Sequence, residues 1–249
     1  MFHREYGELV IACDSKSESW RREQFPEYKY KRREKKKESS TIDWGELYRI
    51  TTQVKEELRE TFKHYKVIQV EGAEADDIIG TLVYGTQEFG HHEPVMIVSA
   101  DKDFIQLHRF KNVKQYSTNT KKLVIEKDPV RFLQEQIFRG DSGDGVPSIL
   151  SPDDIFVKGT RQSPITQKKI DSWLENRHDL KNHLGEEIYK NYCRNESMID
   201  LSKIPEVVKQ KIINTYSSTP TLEANANQIL TYLVKNRCKL LTECIGDFY

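Results

Sequence analysis

Eight acidic side chains fall at four places in the chain: Asp14; Glu74, Asp76 and Asp77; Asp101 and Asp103; Asp141 and Asp144. The first three places each follow an apolar run: Leu9–Cys13, Val67–Val70 and Val95–Val98. If those runs are parallel strands, their carboxyl ends deliver six carboxylates to one edge of a sheet, where open α/β sheets bind ligands. Carboxylates crowded into a partly buried site repel one another strongly unless protons or cations neutralise them. Hard divalent ions with oxygen ligands are the natural neutraliser, and Mg²⁺ commonly takes a few carboxylates plus a substrate phosphate. With this many acids, two ions about 3.5–4 Å apart would suit activation of water and steadying of the leaving oxygen in phosphodiester hydrolysis. Each acid also has a plainer reading. Asp76 and Asp77 would favour the positive end of a helix, the preferred reading for Asp77, and Asp101 would cap the short helix near Asp103.

The elements that must position these groups are legible as periodicity. Short apolar runs predict strands at 8–13, 65–70, 95–99, 113–116 and 123–125. Apolar residues at three- and four-residue spacing predict helices over 43–62, with Ser39, Ser40 or Thr41 as cap, and over 75–89. Further helices are expected at 104–107, 129–139, 204–216 and 226–244. Strands alternating with helices predict an α/β fold: a mostly parallel central sheet flanked by helices, followed by a helical C-terminal region. The expected division is a core over 1–140, including a basic segment at 15–42, and a C-terminal region over 141–249, joined as one unit. Ser15–Ser40 lacks periodicity and is expected to be a loop or mobile helical segment, poorly ordered without a ligand.

Charge is balanced in total, with 39 basic and 39 acidic residues among 249, but it is segregated along the chain. Between Arg21 and Lys37 nine basic residues stand against three acidic ones; between Glu71 and Asp103 eight acids stand against one base, histidines aside. A chain divided this way can grip a polyanion with one segment and hold cations with another, although a solvated surface accounts for either run alone. Trp20, Phe25, Tyr28 and Tyr30 interleave with the bases, a combination suited to phosphate neutralisation and base stacking; for Phe25, packing against the sheet is preferred. No apolar run reaches membrane-spanning length, the start lacks the apolar core of a secretory signal, and Cys13, Cys193, Cys238 and Cys244 show no paired spacing. Membrane, secreted and zinc-ribbon classes are therefore excluded, and an intracellular, cytoplasmic location is expected. His64, His91, His92 and His108 have no partner at metal spacing.

Glu74-Ala75-Asp76-Asp77, Ser99-Ala100-Asp101-Lys102-Asp103-Phe104 and Gly140-Asp141-Ser142-Gly143-Asp144 resemble, in order and spacing, the motifs of the 5′-nuclease (flap endonuclease) superfamily. Trp20–Lys29 resembles the segment leading into that family's helical arch, and the likeness is nearest to its T-even phage ribonuclease H branch. The resemblance implies metal roles for Asp14, Glu74, Asp76, Asp101, Asp103, Asp141 and Asp144, with Asp77 in a supporting place. It implies two Mg²⁺ ions, with Mn²⁺ as a substitute, one of them supplying hydroxide. Lys29, with Arg21 or Arg22, would offset charge on the scissile phosphate. Trp20, Tyr28, Lys31, Arg32 and Arg33 would contact a single strand passing through the arch. Lys158, Arg161, Lys168 and Lys169 would contact duplex in a helix–turn–helix-type element, although that element's two-glycine turn is missing here. The implied activity is 5′→3′ exonuclease and flap endonuclease action on RNA·DNA hybrids and 5′ flaps, removing primers on the lagging strand. The implied partners are DNA, a single-strand-binding protein and a sliding clamp, for a monomer in a phage-infected host.

One departure stands out. The family places a strand ending in a metal aspartate, then a helix, before the strand that here is Leu9–Cys13, and only eight residues precede it. A shortened or misassigned start is the expectation, which puts the activity of this polypeptide in question. Two rival readings of these residues remain. The first is a catalytically impaired DNA-binding remnant of the nuclease fold. The second is a haloacid-dehalogenase-type phosphatase, suggested by Asp101-Lys102-Asp103 with Asp141 and Asp144, but with isoleucine at 105 and the pair after the third strand.

Overall fold

The computed structural model describes residues 2–38, 41–88 and 90–248. After the short helix α1 (His3–Tyr6), strand β1 (Val10–Cys13) leads into helices α2 (Trp20–Gln24), α3 (Tyr30–Glu38) and α4 (Trp44–Thr61). Strand β2 (Lys66–Gln69) pairs in parallel with β1, with Ile11 opposite Val67 and Cys13 opposite Gln69. Helix α5 (Ala75–Gln87) and β3 (Val95–Val98) follow, then a 3₁₀ helix over Lys102–Arg109. Strands β4 (Val113–Ser117) and β5 (Lys122–Val124) complete a second sheet, in which β3–β4 is parallel and β4–β5 antiparallel. Helix α6 (Pro129–Arg139) ends the α/β part.

The single central sheet expected from the sequence is therefore two small sheets, β1–β2 and β3–β4–β5. Among the described residues β1 and β3 each pair on one edge only. One apolar cluster nevertheless joins them: Ile68 of β2, Val70 just past it, Ile97 of β3 and Val113 of β4 share it with Ile78 and Val83 of α5. The same cluster extends through Leu133, Ile137 and Phe138 of α6 to the C-terminal region, as far as Ile212.

Residues 15–38, expected to be loop or mobile, hold two helices. Ser19 caps α2 by accepting from the Arg21 N–H at 3.3 Å. Helix α4 is capped by Asp43, whose Oδ1 accepts from the Glu46 N–H at 3.0 Å. Ser39 and Ser40, two of the expected caps, lie outside the described residues, as does Phe89, the expected end of α5. The apolar stripe of α4 also departs from expectation. Phe62, just past its end, packs against Ile229 and Leu233 with Leu58 alongside, but Leu47, Tyr48 and Val54 are exposed. The reason is reach: the hydrogen bonds that tie α4 to β2 and to α11 come from Lys55, Glu57, Arg59 and Glu60, in its last two turns.

Beyond α6 the chain makes turns without an α-helix as far as Thr166. Helices α7 (Gln167–Glu175), α8 (Leu180–Leu184), α9 (Glu186–Ile199), α10 (Glu206–Ser218), α11 (Ala226–Lys235) and α12 (Lys239–Glu243) then follow. The single helix expected over 226–244 is broken at Arg237, whose φ of 55° lies in the left-handed region. No helix among the described residues is long and apolar enough to cross a membrane.

Candidate active site

The acids converge because three tight local structures aim them. At the start of α5, Asp77 is fully buried and its Oδ2 accepts from the Glu74 N–H at 2.9 Å, closing the first turn as a helix cap. That turn sets Glu74 and Asp76 beside the cleft. After β3, Asp101 Oδ1 accepts from the Asp103 N–H at 3.0 Å, the capping role foreseen for it. The loop is fixed from below by Gln115 of β4, whose Nε2 donates to the Ser99 and Asp101 carbonyls at 2.9 and 2.7 Å. After α6, Asp141 Oδ1 accepts from the Gly143 and Asp144 N–H groups at 2.7 and 3.2 Å. Gly140 turns the chain into this loop at φ 69°, and a Cβ there would collide with the Val146 and Pro147 carbonyl oxygens.

A cleft of about 380 Å³ results, with Lys29 and Arg32 facing Asp76, Asp101, Lys102, Asp103, Asp141 and Asp144. Its two halves differ electrically. Among the described residues no cation stands at hydrogen-bonding distance from Asp76 or Asp103, whereas Glu74, Asp141 and Asp144 each have one. Burial, then Asp101 and Asp103, push the Asp76 carboxyl up to about 7. Burial, then Asp101, push Asp103 up to about 6, against a hydrogen bond from Gln136 Nε2. Glu74 and Asp141 behave oppositely. Burial raises both, but Lys29 and Arg21 outweigh it at Glu74, as Lys102 does at Asp141, leaving both below the usual carboxylate range.

These shifts predict how stability depends on pH. Asp76 and Asp103 hold protons in the folded protein at pH values where the unfolded chain has released them. With divalent cations chelated, stability should therefore fall as pH rises from the ordinary carboxylate range towards 7, with Asp76 alone worth about 4 kcal/mol. Thermal unfolding at pH 5 and pH 8 checks this, and Asp76→Asn should shrink the difference.

The structure places the other sequence-predicted site residues differently. Asp14 is exposed, and its Oδ1 accepts from the Ala75 N–H at 2.8 Å, so it caps α5 rather than lining the cleft. Arg21, expected to face the scissile phosphate, is buried: its Nη1 meets Asp77 Oδ1 at 2.7 Å and its Nε donates to the Met198 carbonyl at 2.9 Å. Arg22 pairs with Glu18. Trp20 and Tyr28, expected to stack bases, are 6% and 3% exposed and present no open ring face. Each has polar work inside: Trp20 Nε1 donates to Asp77 at 3.0 Å, and the Tyr28 hydroxyl lies 2.8 and 2.9 Å from Glu74 and Asp144. Lys31 sits over the Phe156 ring, and Arg33 donates to the Tyr28 and Pro26 carbonyls. Lys158, Arg161, Lys168 and Lys169 are exposed on the turns before α7 and on its first turn, with Lys158 paired to Asp154 at 2.6 Å.

Sequence reasoning missed the glutamines. Gln115 and Gln136 occupy inward positions, two residues from Val113 and three from Leu133, and Gln106 of the 3₁₀ helix clamps the Asp103 and Ile199 carbonyls. A polar residue at a core position of a strand or helix was the available signal. Lys102 was missed too, hidden between two aspartates.

As a donor set the cleft offers hard oxygens, and burial makes Asp76 and Asp103 in its bare half harder to ionise. That is the chemistry a divalent cation neutralises. Among the described residues no three acidic, histidine or cysteine side chains yet stand close enough to share one ion.

Residues 2–136 match the family model for the 5′-3′ exonuclease N-terminal resolvase-like domain, and residues 130–248 match that for the T4 RNase H C-terminal region. The ribonuclease H of Enterobacteria phage T4 is 33% identical over 98% of this chain and 80% of its own length. A 5′-3′ exonuclease of Buchnera aphidicola is 31% identical over 57% of this chain and 47% of its own. Among solved structures, a phage T5 protein co-crystallised with metal ions aligns at TM-score 0.62 and 18% identity, covering 88% of this chain and 87% of that one. A phage T5 flap endonuclease in a pseudo-enzyme–product complex with DNA and metal ions aligns at 0.60, covering 87% and 86%.

Proposed function

The chain belongs to the 5′-3′ exonuclease family of nucleases, and from that premise we propose that it is a divalent-metal-dependent 5′ nuclease acting on 5′ flaps and RNA·DNA hybrids. The observation that supports this best is the cleft itself, where Asp76, Asp101 and Asp103 face Lys29 and Arg32 across a space open to solvent. Glu74, Asp76, Asp101, Asp103, Asp141 and Asp144 would hold the cations, and bound Mg²⁺ would supply Lewis-acid activation of water and neutralise the scissile phosphate. The chain's own bases complete the charge balance. Lys29 and Arg32 line the cleft and would meet phosphate oxygens, and the exposed Lys158, Arg161, Lys168 and Lys169 would hold duplex phosphates. In this reading residues 1–140, with Asp141 and Asp144 at the start of the following region, carry the chemistry, and the rest of 141–249 holds the duplex, within a monomer. Primer removal in the replicating cytoplasm, beside a single-strand-binding protein and a sliding clamp, belongs to the same proposal. The phosphatase reading is overturned by the family match over residues 2–136.

Cleavage of a 5′-labelled flap and of an RNA·DNA hybrid in Mg²⁺, with and without chelator, tests the proposal. Chelator-sensitive release of short 5′ products is expected. A second reading, binding without turnover, is favoured by Asp14 standing outside the cleft and by acids not yet close enough to share an ion. Flap binding without cleavage in any divalent metal would establish that reading instead.

A further inference from the structure

Three basic side chains already occupy half of the carboxylate shelf. Lys29 Nζ lies 2.5 Å from Glu74 Oε1 and 3.8 Å from Asp144 Oδ2. Arg32 Nη2 lies 2.8 Å from Asp144 Oδ1, and Lys102 Nζ lies 3.1 Å from Asp141 Oδ2. We propose that these three residues are internal counter-ions of Glu74, Asp144 and Asp141, and that a divalent cation enters this half of the cleft only by displacing them. The inference rests on the metal-dependent reading above and adds a competition within the chain.

The mounting of Lys29 suits that role. Its backbone is held at φ 56°, a left-handed conformation that costs a lysine energy, and its N–H donates to the Asp144 carbonyl at 2.7 Å. Gly145 packs there with no Cβ, where one would stand 3.1 Å from the Glu27 carbonyl and 3.3 Å from the Lys29 nitrogen. The main chain of the basic segment is thereby pinned to the acidic loop, and exchange needs only side chains to swing. The single proton of the Tyr28 hydroxyl serves both Glu74 and Asp144, keeping the two carboxylates together while the cation between them changes. The Arg32 and Lys102 side chains are each 57% exposed, so water receives them at little cost when they leave. Lys29 and Arg32 together carry the charge of one divalent ion, so the exchange preserves the local balance and frees two bases for an incoming phosphate.

The consequence is two unequal cation-binding steps: one at Asp76, Asp101 and Asp103, which must draw together around the ion, and a weaker one at Glu74, Asp141 and Asp144, which must also shed their bases. Mn²⁺ binding followed by calorimetry, with no nucleic acid present, tests this. Lys29→Ala and Arg32→Ala should each tighten the weaker binding step by about tenfold, through loss of a competing charge at contact distance. Lys29→Arg should keep that step weak. Lys31→Ala removes the same charge from the same segment without a shelf contact and should shift it less than twofold. Arg32→Ala alters an exposed side chain and tests the point even if Lys29→Ala disturbs the fold. Equal affinities in wild type, Lys29→Ala, Arg32→Ala and Lys31→Ala would overturn the counter-ion role and leave the metal reading standing. No Mn²⁺ binding by any of these proteins would overturn both.

Discussion

Asp103→Asn is expected to lower the rate of flap cleavage by about 10²–10³-fold, the scale of removing one preorganised charge from the reacting centre. The substitution keeps the shape of the side chain and an oxygen to accept the bond from Gln136 Nε2. What it removes is a negative charge facing Asp76 and Asp101 in the bare half of the cleft, where cation binding gains most. Folding should respond with the opposite sign. Metal-free Asp103→Asn should unfold at a higher temperature than wild type at pH 8, because a buried carboxylate with no counter-ion has been neutralised. Initial rates at saturating Mg²⁺ and melting curves in chelator measure the two effects. An unchanged cleavage rate would remove Asp103 from the reaction.

The second large effect is on stability. Arg21→Ala should cost about 3–5 kcal/mol, the usual penalty for stripping one partner from a buried ion pair. Arg21 is 3% exposed and Asp77 fully buried, so the loss leaves a buried carboxylate without its cationic partner. The damage would spread, because Arg21 also donates to the Met198 carbonyl in α9 and so ties the basic segment to the C-terminal region. Burial lowers its affinity for the proton, but Asp77 outweighs that and holds it charged throughout the accessible pH range. Arg22→Ala, one residue on and paired with the exposed Glu18, should cost within about 0.5 kcal/mol. Urea unfolding of the two variants makes the comparison. Asp77→Ala combined with Arg21→Ala should cost less than the two single changes added together, as expected for partners in contact.

Much of the molecule was legible one segment at a time. Five apolar runs gave five strands, and the helices at α5 and α6 fell where three- and four-residue spacing put them, because burying one face of a short element imposes its period on the sequence. The capping role of Asp77 followed from its place in the first turn of α5, where a carboxylate meets unpaired N–H groups. The acids after β2 and β3 include three that line the cleft, Asp76, Asp101 and Asp103, as strand direction suggests, whereas Asp14 after β1 does not reach it.

Other features depended on which segment folds against which. Trp20, Tyr28 and Arg21 share a charged, aromatic run that reads as a surface for nucleic acid. Their burial follows from α2 and the turn after it lying against the start of α5, where Asp77 and Glu74 supply hydrogen-bond partners. A local pattern cannot show that, because the partners lie about fifty residues away. The division into two sheets is equally non-local, since each edge is defined by the strand that does or does not come to it. The pairing of Lys29, Arg32 and Lys102 with three of the acids is tertiary in the same sense. Composition fixes how many charges of each sign the chain carries, but which of them neutralise one another depends on ångström separations that only the packed chain defines.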